Sequence, residues 1–369
     1  MTADPTTVDP TTTTTTAEAS AVEVEVERRR ETPPTGLERD RSSGLDGLRA
    51  FACLLVVAFH LHTVSGVSFG PLDVVIRGGD SGVWLFFALS GYLLYKPFLT
   101  RRVELVGYGL KRAGRILPGY FVALIGLTVL TGSRLPIEHP LPYLTISSAY
   151  DIPLRGFLGN AWTLSAELLF YVTLPWIARV AAGRELRVLL GLALGSAVLA
   201  TVHRLVINDA NTWLIGTFPL SFYAFVPGML LAVIQVKRPT VFERLQHPAY
   251  LAMGAVYLVL GAVTSYLPVA ILTGLGTALV MGYLLQHGLP FGRALGFAGG
   301  ASYALYLWHK DAFIAFGPIV GLAVALVASA ISWAAVERPV LRWIHWLAAG
   351  RSSGGAEPAP LEPAPAAST

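Results

Sequence analysis

The feature that most constrains this chain is a series of apolar runs of about 20 residues, separated by short polar or Pro/Gly-rich stretches. A helix of about 20 residues crosses a hydrocarbon core about 30 Å thick. Lipid offers backbone groups no hydrogen-bond partners, so runs of this length must be helical. Only 14% of the residues are charged, against about 25% in a soluble domain. The sequence therefore predicts an all-α polytopic membrane protein.

The apolar runs also predict how the chain crosses the membrane. We count ten of them, at approximately 46–66, 80–100, 113–132, 162–182, 187–207, 213–235, 248–267, 269–287, 298–316 and 318–345. The polar stretches on one side hold 17 Lys and Arg residues, and those on the other side hold four, Arg77, Arg134, Arg155 and Arg204. Positive charge accumulates on the cytoplasmic side. We therefore expect about ten transmembrane helices in the cell membrane, with both termini cytoplasmic.

Composition divides the chain into three parts. Residues 1–44 are rich in Thr, Glu and Arg, and residues 347–369 in Ala, Pro, Ser and Gly. Such segments bury too little apolar surface to order themselves, so we predict two disordered cytoplasmic tails around a transmembrane domain at 45–346. The longest loop, about 133–160, contains four prolines. It is either a lid or a structured connector.

The sequence also excludes several classes. The basic residues are scattered, whereas a nucleic-acid surface needs them clustered. The single cysteine, Cys53, cannot form an intramolecular disulfide. We expect no metal site and no permanently bound cofactor.

Ionisable residues inside apolar runs are costly in lipid and suggest function. Arg49 and His60 are eleven residues apart, which places them on one helix face about 16 Å apart. A neutral histidine in a water-poor site can accept a proton, so His60 is a candidate general base. The alternative is a core histidine that is hydrogen-bonded to a neighbouring helix.

Arg112 and Arg115 lie three residues apart at the expected cytoplasmic start of the third run. Their guanidinium groups share a helix face and could bind a polyphosphate. The alternative is ordinary anchoring at a cytoplasmic helix end.

Glu167 follows Trp162 at the start of the fourth run, and Tyr171 lies one turn further on. A submerged carboxylate needs a cationic or hydrogen-bonding partner. The alternative is a carboxylate that complements the helix dipole. In the ninth run, Tyr303 and Trp308 precede the triplet His309, Lys310 and Asp311, an unusual group at that depth.

Taken together and in this order, these elements resemble the acyltransferase-3 family of bacterial membrane O-acyltransferases. The matching segments are Leu45–Arg49 with His60, Phe86–Phe87 with Ser90–Tyr92, Arg112 and Arg115 with Pro118 and Tyr120, Trp162–Tyr171, Ser302–His309 and Glu337–Pro339. They span nearly all of 44–345. The sequence differs from many members at Leu168 and Leu169, where a second acidic residue and a glutamine are usual.

The resemblance implies an acyl-CoA donor, with acetyl-CoA favoured, bound from the cytoplasmic side, and a hydroxylated acceptor such as a glycan or glycosylated metabolite. It implies that His60 is the catalytic base, that Arg49 is its structural or electrostatic partner, and that Arg112 and Arg115 bind the donor's phosphates. We add Glu167 as a third catalytic candidate. A substrate-contacting or structural role is expected for Asp46, Trp162, Tyr171, Tyr303, Trp308 and His309.

In the mechanism we expect, His60 removes the acceptor's proton while that oxygen attacks the thioester, and an acyl-histidine relay is the alternative. Arg49, Glu167 or Tyr303 would stabilise the developing charges. We expect no additional outward hydrolase-like domain of the kind that some family members carry.

Two other functions use the same residues. The first is a proton-coupled exporter with buried ionisable groups. Against it stand the lack of an inverted repeat and the pair Arg112 and Arg115, which a polyphosphate donor needs and an exporter does not. The second is a non-catalytic scaffold.

Overall fold

A computed structural model describes residues 36–207, 218–264, 267–289 and 292–353. Within these ranges the chain forms helices and turns and no β-strand. The helices of ten residues or more are α1 Gly36–Ser65, α2 Ser81–Thr100, α3 Leu105–Thr131, α4 Trp162–Ala181, α5 Glu185–Ile207, α6 Val226–Lys237, α7 Pro248–Val263, α8 Leu267–His287, α9 Gly292–Ile331 and α10 Arg338–Ser353. A six-residue π-helix, Ser332–Glu337, joins α9 to α10.

Within the described ranges, seven helical stretches are long and apolar enough to cross a membrane. They are Gly44–Ser65, Ser81–Thr100, Leu105–Thr131, Gly159–Ala181, Glu185–His203, Val269–His287 and Ala294–Ile344. The last stretch has 51 residues and contains a break at Gly317, whose φ is 74° and ψ is −179°. Two shorter apolar helices are Phe222–Lys237 and Pro248–Val263. The all-helical membrane fold is thus confirmed, while the count of ten spans and the side of the termini stay predictions.

Helical structure extends beyond the predicted domain limits of 45 and 346. The first helix begins at Gly36 and the last ends at Ser353. The rest of the two predicted tails lies outside the described residues, as does the beginning of the predicted run 213–235.

The start of α3 differs from the sequence-based expectation. Its apolar run begins near residue 113, but the helix begins at Leu105. The Glu104 carboxylate caps it by accepting hydrogen bonds from the backbone N–H groups of Val106 and Gly107. A capped helix N-terminus tolerates polar residues in its first turns. Arg112 therefore lies about two turns inside the helix rather than at its start.

Small residues and stacked rings hold the centre of the bundle together. A Cβ added to Gly228 of α6 would lie 1.8 Å from the carbonyl oxygen of Ala88 of α2, so glycine is required at this crossing. The Phe225 ring stacks between Phe87 at 4.5 Å and Phe170 at 4.1 Å between ring centroids. Close backbone approach through small residues is typical of membrane helices.

The two ends of the bundle differ. We call the end with Arg101, Arg102 and Lys111 the basic end, and the opposite end, covered by residues 133–160, the capped end. Helix α1 runs from the basic end to the capped end, and α9 runs beside it in the same direction as far as Gly317.

Residues 133–160, the capping segment, form two short helices, Leu135–Glu138 and Pro140–Leu144, and several 3₁₀ turns. Tyr120 of α3 donates a hydrogen bond to the Tyr143 carbonyl at 2.7 Å, and the Tyr143 hydroxyl donates to the Leu154 carbonyl at 3.0 Å. Burial raises the pKa of Tyr143 to about 12, so the phenol stays a hydrogen-bond donor. These contacts favour the structured connector over a free lid.

Candidate active site

A cavity in the centre of the bundle brings together most of the residues that the sequence singled out. It has an empty volume of about 820 Å³, counted to its open mouth. Five helices, α1, α2, α3, α4 and α9, contribute to its wall. Its polar lining consists of Arg49, Ser90, Arg112, Arg115, Thr163, Glu167, Tyr171, Ser302, Tyr303 and Tyr306.

The cavity has an excess of positive charge. Arg49 is paired with Asp46, with 2.7 Å between Nη1 and Oδ1. Among the described residues, no carboxylate lies within 4.0 Å of the guanidinium groups of Arg112 or Arg115. Aromatic rings contact them instead, because Arg115 lies 5.7 Å from the Tyr303 ring centroid and Arg112 lies 5.8 Å from that of Tyr171. The cationic wall is therefore available to an anionic ligand.

Glu167 contributes a negative charge to the cavity lining. Its hydrogen-bond partners are hydroxyl groups. Its Oε1 atom accepts hydrogen bonds from Ser90 at 2.8 Å and from Tyr171 at 2.7 Å. The expectation that this carboxylate has a hydrogen-bonding partner is met by two donors. Two donors on one oxygen hold the carboxylate in a fixed orientation that faces the cavity.

His60 lies outside this cavity and contacts a second imidazole. Its Nδ1 atom is 3.0 Å from Nε2 of His309 and 3.0 Å from the carbonyl oxygen of Val56. His309 is fully buried, and its Nδ1 atom lies 3.0 Å from the Leu305 carbonyl. A hydrogen bond from this histidine to a neighbouring helix is the alternative that the sequence left open, and the structure identifies that helix as α9.

Tyr306 lies beside both the central cavity and the buried histidine of the pair, His309. It lines the cavity, and its ring centroid lies 5.8 Å from that of His309. Its hydroxyl donates a hydrogen bond to the Asn160 carbonyl at 3.0 Å. His60 and His309 do not line the central cavity, so the described residues show no open space that joins the arginine pair to His60.

Several other predicted site residues have packing roles. Trp308 is buried, and a Cβ added to Gly126 would lie 2.2 Å from its ring. Trp162 packs against Phe87 and Trp84, at 6.1 and 6.3 Å between ring centroids. Neither tryptophan lines the central cavity, whereas Tyr171 and Tyr303 both do.

Ser90 and Tyr306 are cavity residues to which the sequence analysis gave no role. Ser90 belongs to the segment Ser90–Tyr92, which the sequence linked to the family without a chemical role. The signal was the need of Glu167 for a partner, but spacing along the chain cannot identify a donor 77 residues away.

An apolar groove between α3 and α4 adjoins the cavity. It has an empty volume of about 1320 Å³, and Arg112 and Tyr171 line both spaces. Arg179 lies in its wall towards the basic end. In the described part of the chain, no group of three His, Cys, Asp or Glu side chains is placed to hold a metal ion.

Comparison with known proteins shows what the chain resembles. The profile of the family Acyl_transf_3, described as an acyltransferase domain, matches residues 42–350. The exopolysaccharide production protein ExoZ of Rhizobium meliloti is 32% identical over 302 residues, which cover 72% of this chain and 90% of ExoZ. Nodulation protein 10 of Rhizobium leguminosarum is 27% identical over 370 residues, which cover 86% of this chain and 99% of that protein.

A more distant relative is named as an enzyme. The peptidoglycan O-acetyltransferase OatA of Listeria monocytogenes is 23% identical over 375 residues, which cover 83% of this chain and 57% of OatA. The chain thus matches just over half of OatA. No solved structure matches the chain.

Proposed function

Because the chain belongs to the Acyl_transf_3 family of integral-membrane acyltransferases, we propose that it moves an acyl group, acetyl in the simplest case, from acyl-CoA to a hydroxyl group of an envelope glycan, a glycolipid or a glycosylated small molecule. The names of its relatives support an O-acetyltransferase rather than an exporter. The proposal includes ten membrane spans with both termini in the cytoplasm. In this orientation the basic end of the bundle faces the cytoplasm, from which the donor binds.

The observation that carries the donor assignment is the cationic wall of the central cavity. Arg112 and Arg115 face a buried space without a carboxylate partner within 4.0 Å among the described residues. An arginine in such a place costs free energy unless an anion occupies the site. The phosphates of a nucleotide-linked donor supply that anion, and a guanidinium group can bind a phosphate in a bidentate manner.

The proposed reaction places the donor's phosphates at the arginine pair and its thioester at His60. With the donor's phosphates at Arg112 and Arg115, its long pantetheine arm points past Tyr306 towards His60. The acceptor hydroxyl approaches from the capped end, since α1 ends only five residues beyond His60 at Ser65. In this arrangement Tyr306 turns aside when the donor binds.

The chemical step uses the imidazole of His60 as a general base. It takes the proton of the acceptor hydroxyl while the oxygen attacks the thioester carbonyl, and the C–S bond breaks as the tetrahedral intermediate collapses. The resulting imidazolium returns the proton to the departing thiolate. General-base assistance of this kind contributes about 10²–10⁴ in rate.

Arg49 and Glu167 act on the donor side in this proposal. Arg49 is held by Asp46 at the cavity wall, where it offsets negative charge on the donor. Glu167, oriented by Ser90 and Tyr171, accepts a hydrogen bond from an amide of the donor's arm. Tyr303 donates its own hydroxyl hydrogen to the Ile116 carbonyl at 2.8 Å and fixes the ring beneath Arg115.

The test is a transfer assay on membranes from the producing bacterium. Radioactive acetyl-CoA is supplied from the side of the basic end, and base-labile label is counted in the glycan and lipid fractions. We expect label that depends on the protein and saturates with acetyl-CoA. If the envelope is modified equally with and without the protein, or if label requires another donor, the proposal fails.

A further inference from the structure

The carbonyl groups beside the two histidines favour one arrangement of the imidazole hydrogens. Carbonyl oxygens only accept hydrogen bonds, so the nitrogen that faces one must carry the hydrogen. The Nδ1 atoms of His60 and His309 face the carbonyls of Val56 and Leu305, each at 3.0 Å. With both rings neutral, these two contacts are hydrogen bonds only in the tautomer that carries the hydrogen on Nδ1.

This arrangement decides what each Nε2 atom does. In a neutral imidazole that is protonated on Nδ1, Nε2 carries a lone pair. The Nε2 atom of His309 points at Nδ1 of His60 at 3.0 Å and accepts its hydrogen, which is shared with the Val56 carbonyl. The Nε2 atom of His60 is then left with a free lone pair, as a general base requires.

We propose that His309 is the positioning residue of the acyl transfer, holding His60 in the tautomer and ring orientation in which Nε2 accepts the proton of the acceptor hydroxyl. This inference rests on the proposed function, in which His60 is the base. In hydrolases with a Ser-His-Asp triad, a carboxylate on the Nδ1 side of the histidine has this task. Here the described residues place no carboxylate within 4.0 Å of either ring, and a neutral imidazole takes its place.

His309 is suited to this task by its surroundings. It is fully buried, whereas His60 is half-buried. The Phe313 ring flanks it at 5.8 Å between ring centroids, and its own Nδ1 atom lies 3.0 Å from the Leu305 carbonyl, so its position does not depend on Tyr306. The hydrogen bond that it accepts becomes charge-assisted when His60 takes up a proton, and such bonds are about twice as strong as neutral ones. His309 thus stabilises the imidazolium that forms in the reaction.

Rigid packing of α1 against α9 keeps the two rings together. A Cβ added to Gly299 of α9 would lie 2.6 Å from the backbone oxygen of Asp46, so the two helices touch through backbone near the basic end. The Cys53 thiol lies 3.2 Å from the Ser302 carbonyl in the middle of the same interface. The histidine pair is the third contact along this interface, towards the capped end.

The test compares two substitutions of His309 whose side chains have similar length but differ in hydrogen-bonding capacity. His309→Gln places an amide oxygen where Nε2 was and can still accept from Nδ1 of His60, whereas His309→Met fills the space without a comparable acceptor. With purified protein, acetyl-CoA and the membrane glycolipid fraction as acceptor, we expect His309→Met to lose at least about tenfold in kcat, within the general-base limit of about 10²–10⁴. His309→Gln should recover most of that loss. The KM for acetyl-CoA should stay within about twofold in both variants, because His309 does not line the cavity that is assigned to the donor.

His287 provides a matched control, because its Nδ1 also faces the carbonyl four residues earlier, that of Tyr283, at 3.1 Å, and it is exposed. His287→Met should keep the wild-type kcat. Combining His60→Ala with His309→Met should lower activity no further than His60→Ala alone, since His309 acts only through His60.

The outcomes distinguish a failure of this inference from a failure of the proposed function. If His60→Ala is inactive and folded while His309→Met keeps the wild-type kcat, the positioning role is wrong and the proposed base stands. Equal losses in His309→Gln and His309→Met, with monodisperse protein and a changed KM, also overturn the positioning role. Full activity of His60→Ala overturns both.

Discussion

Replacing Arg115 by alanine should weaken donor binding with little change in the chemical step. The guanidinium group faces the central cavity, and its neighbours are the rings of Tyr303 and Trp333, at 5.7 and 5.6 Å from their centroids. Among the described residues the substitution breaks no ion pair within 4.0 Å. It does remove the two ring contacts and the attraction between Arg115 and the Glu337 carboxylate, so the Kd is compared in protein that is shown to be folded. A hydrogen bond between charged groups contributes about 1.5–3 kcal/mol. The expected rise in the Kd for CoA is therefore roughly 10- to 150-fold.

Arg112 should behave in the same way, and the pair should not be additive. Its Nε atom is buried without a hydrogen-bond partner among the described residues, which leaves it available to a phosphate. The two guanidinium groups lie three residues apart on α3 and share one ligand, so the double alanine variant should lose less than the product of the single effects.

The assay is a titration of CoA into detergent-purified protein, followed by calorimetry or by the change in tryptophan fluorescence. Arg102→Ala is the matched control, because Arg102 is exposed at the same basic end and lies outside the cavity. Its Kd should remain within about twofold of the wild type. Unchanged CoA binding in both Arg112→Ala and Arg115→Ala would refute the assignment of the cavity to the donor's phosphates.

Three further substitutions or reactions test the fold around the site. Gly78→Ala should lower the unfolding temperature in detergent, because its Cβ would lie 1.5 Å from the Ala262 carbonyl oxygen and overpacking costs about 1–3 kcal/mol. Asp311→Ala should make the capping segment sensitive to protease, because Oδ1 accepts the Leu158 N–H at 3.1 Å, while Asp311→Asn keeps the acceptor and should resist. The thiol of Cys53, which is 1% exposed, should react with N-ethylmaleimide only after unfolding.

Each of these has its own contradicting result. Gly109→Ala is the control for Gly78, since a Cβ there would meet nothing within 4 Å, and equal unfolding temperatures in the two variants would refute the close approach. Equal protease resistance of the two Asp311 variants would mean that the carboxylate does not anchor the capping segment. Fast labelling of Cys53 in the native protein would contradict the tight α1 to α9 interface.

The sequence predicted the helical membrane fold because the physical constraint is local. A run of apolar residues in lipid has no alternative to helix, whatever its neighbours are. Boundaries were less predictable, because they depend on polar residues. Glu104 starts α3 well before its apolar run by capping free N–H groups, and Gly317 breaks α9 inside a stretch that stays apolar throughout.

The residues that line the cavity were predictable in part, because some of them lie on one helix. Spacing on one helix fixes which side chains share a face, and Arg112 and Arg115 do line the same wall. Spacing says nothing about which other helix that face meets. The partners of Glu167 and His60 lie 77 and 249 residues away, and the position of His60 outside the cavity depends on how the helices pack.

A single-turnover measurement of acetyl transfer by purified, folded His60→Ala and His60→Gln proteins, saturated with acetyl-CoA, isolates the contribution of this imidazole to the chemical step. We expect CoA binding to stay at the wild-type level while the transfer rate falls by about 10²–10⁴, the contribution of a general base. A transfer rate equal to that of the wild type in either variant would contradict the central role of this imidazole.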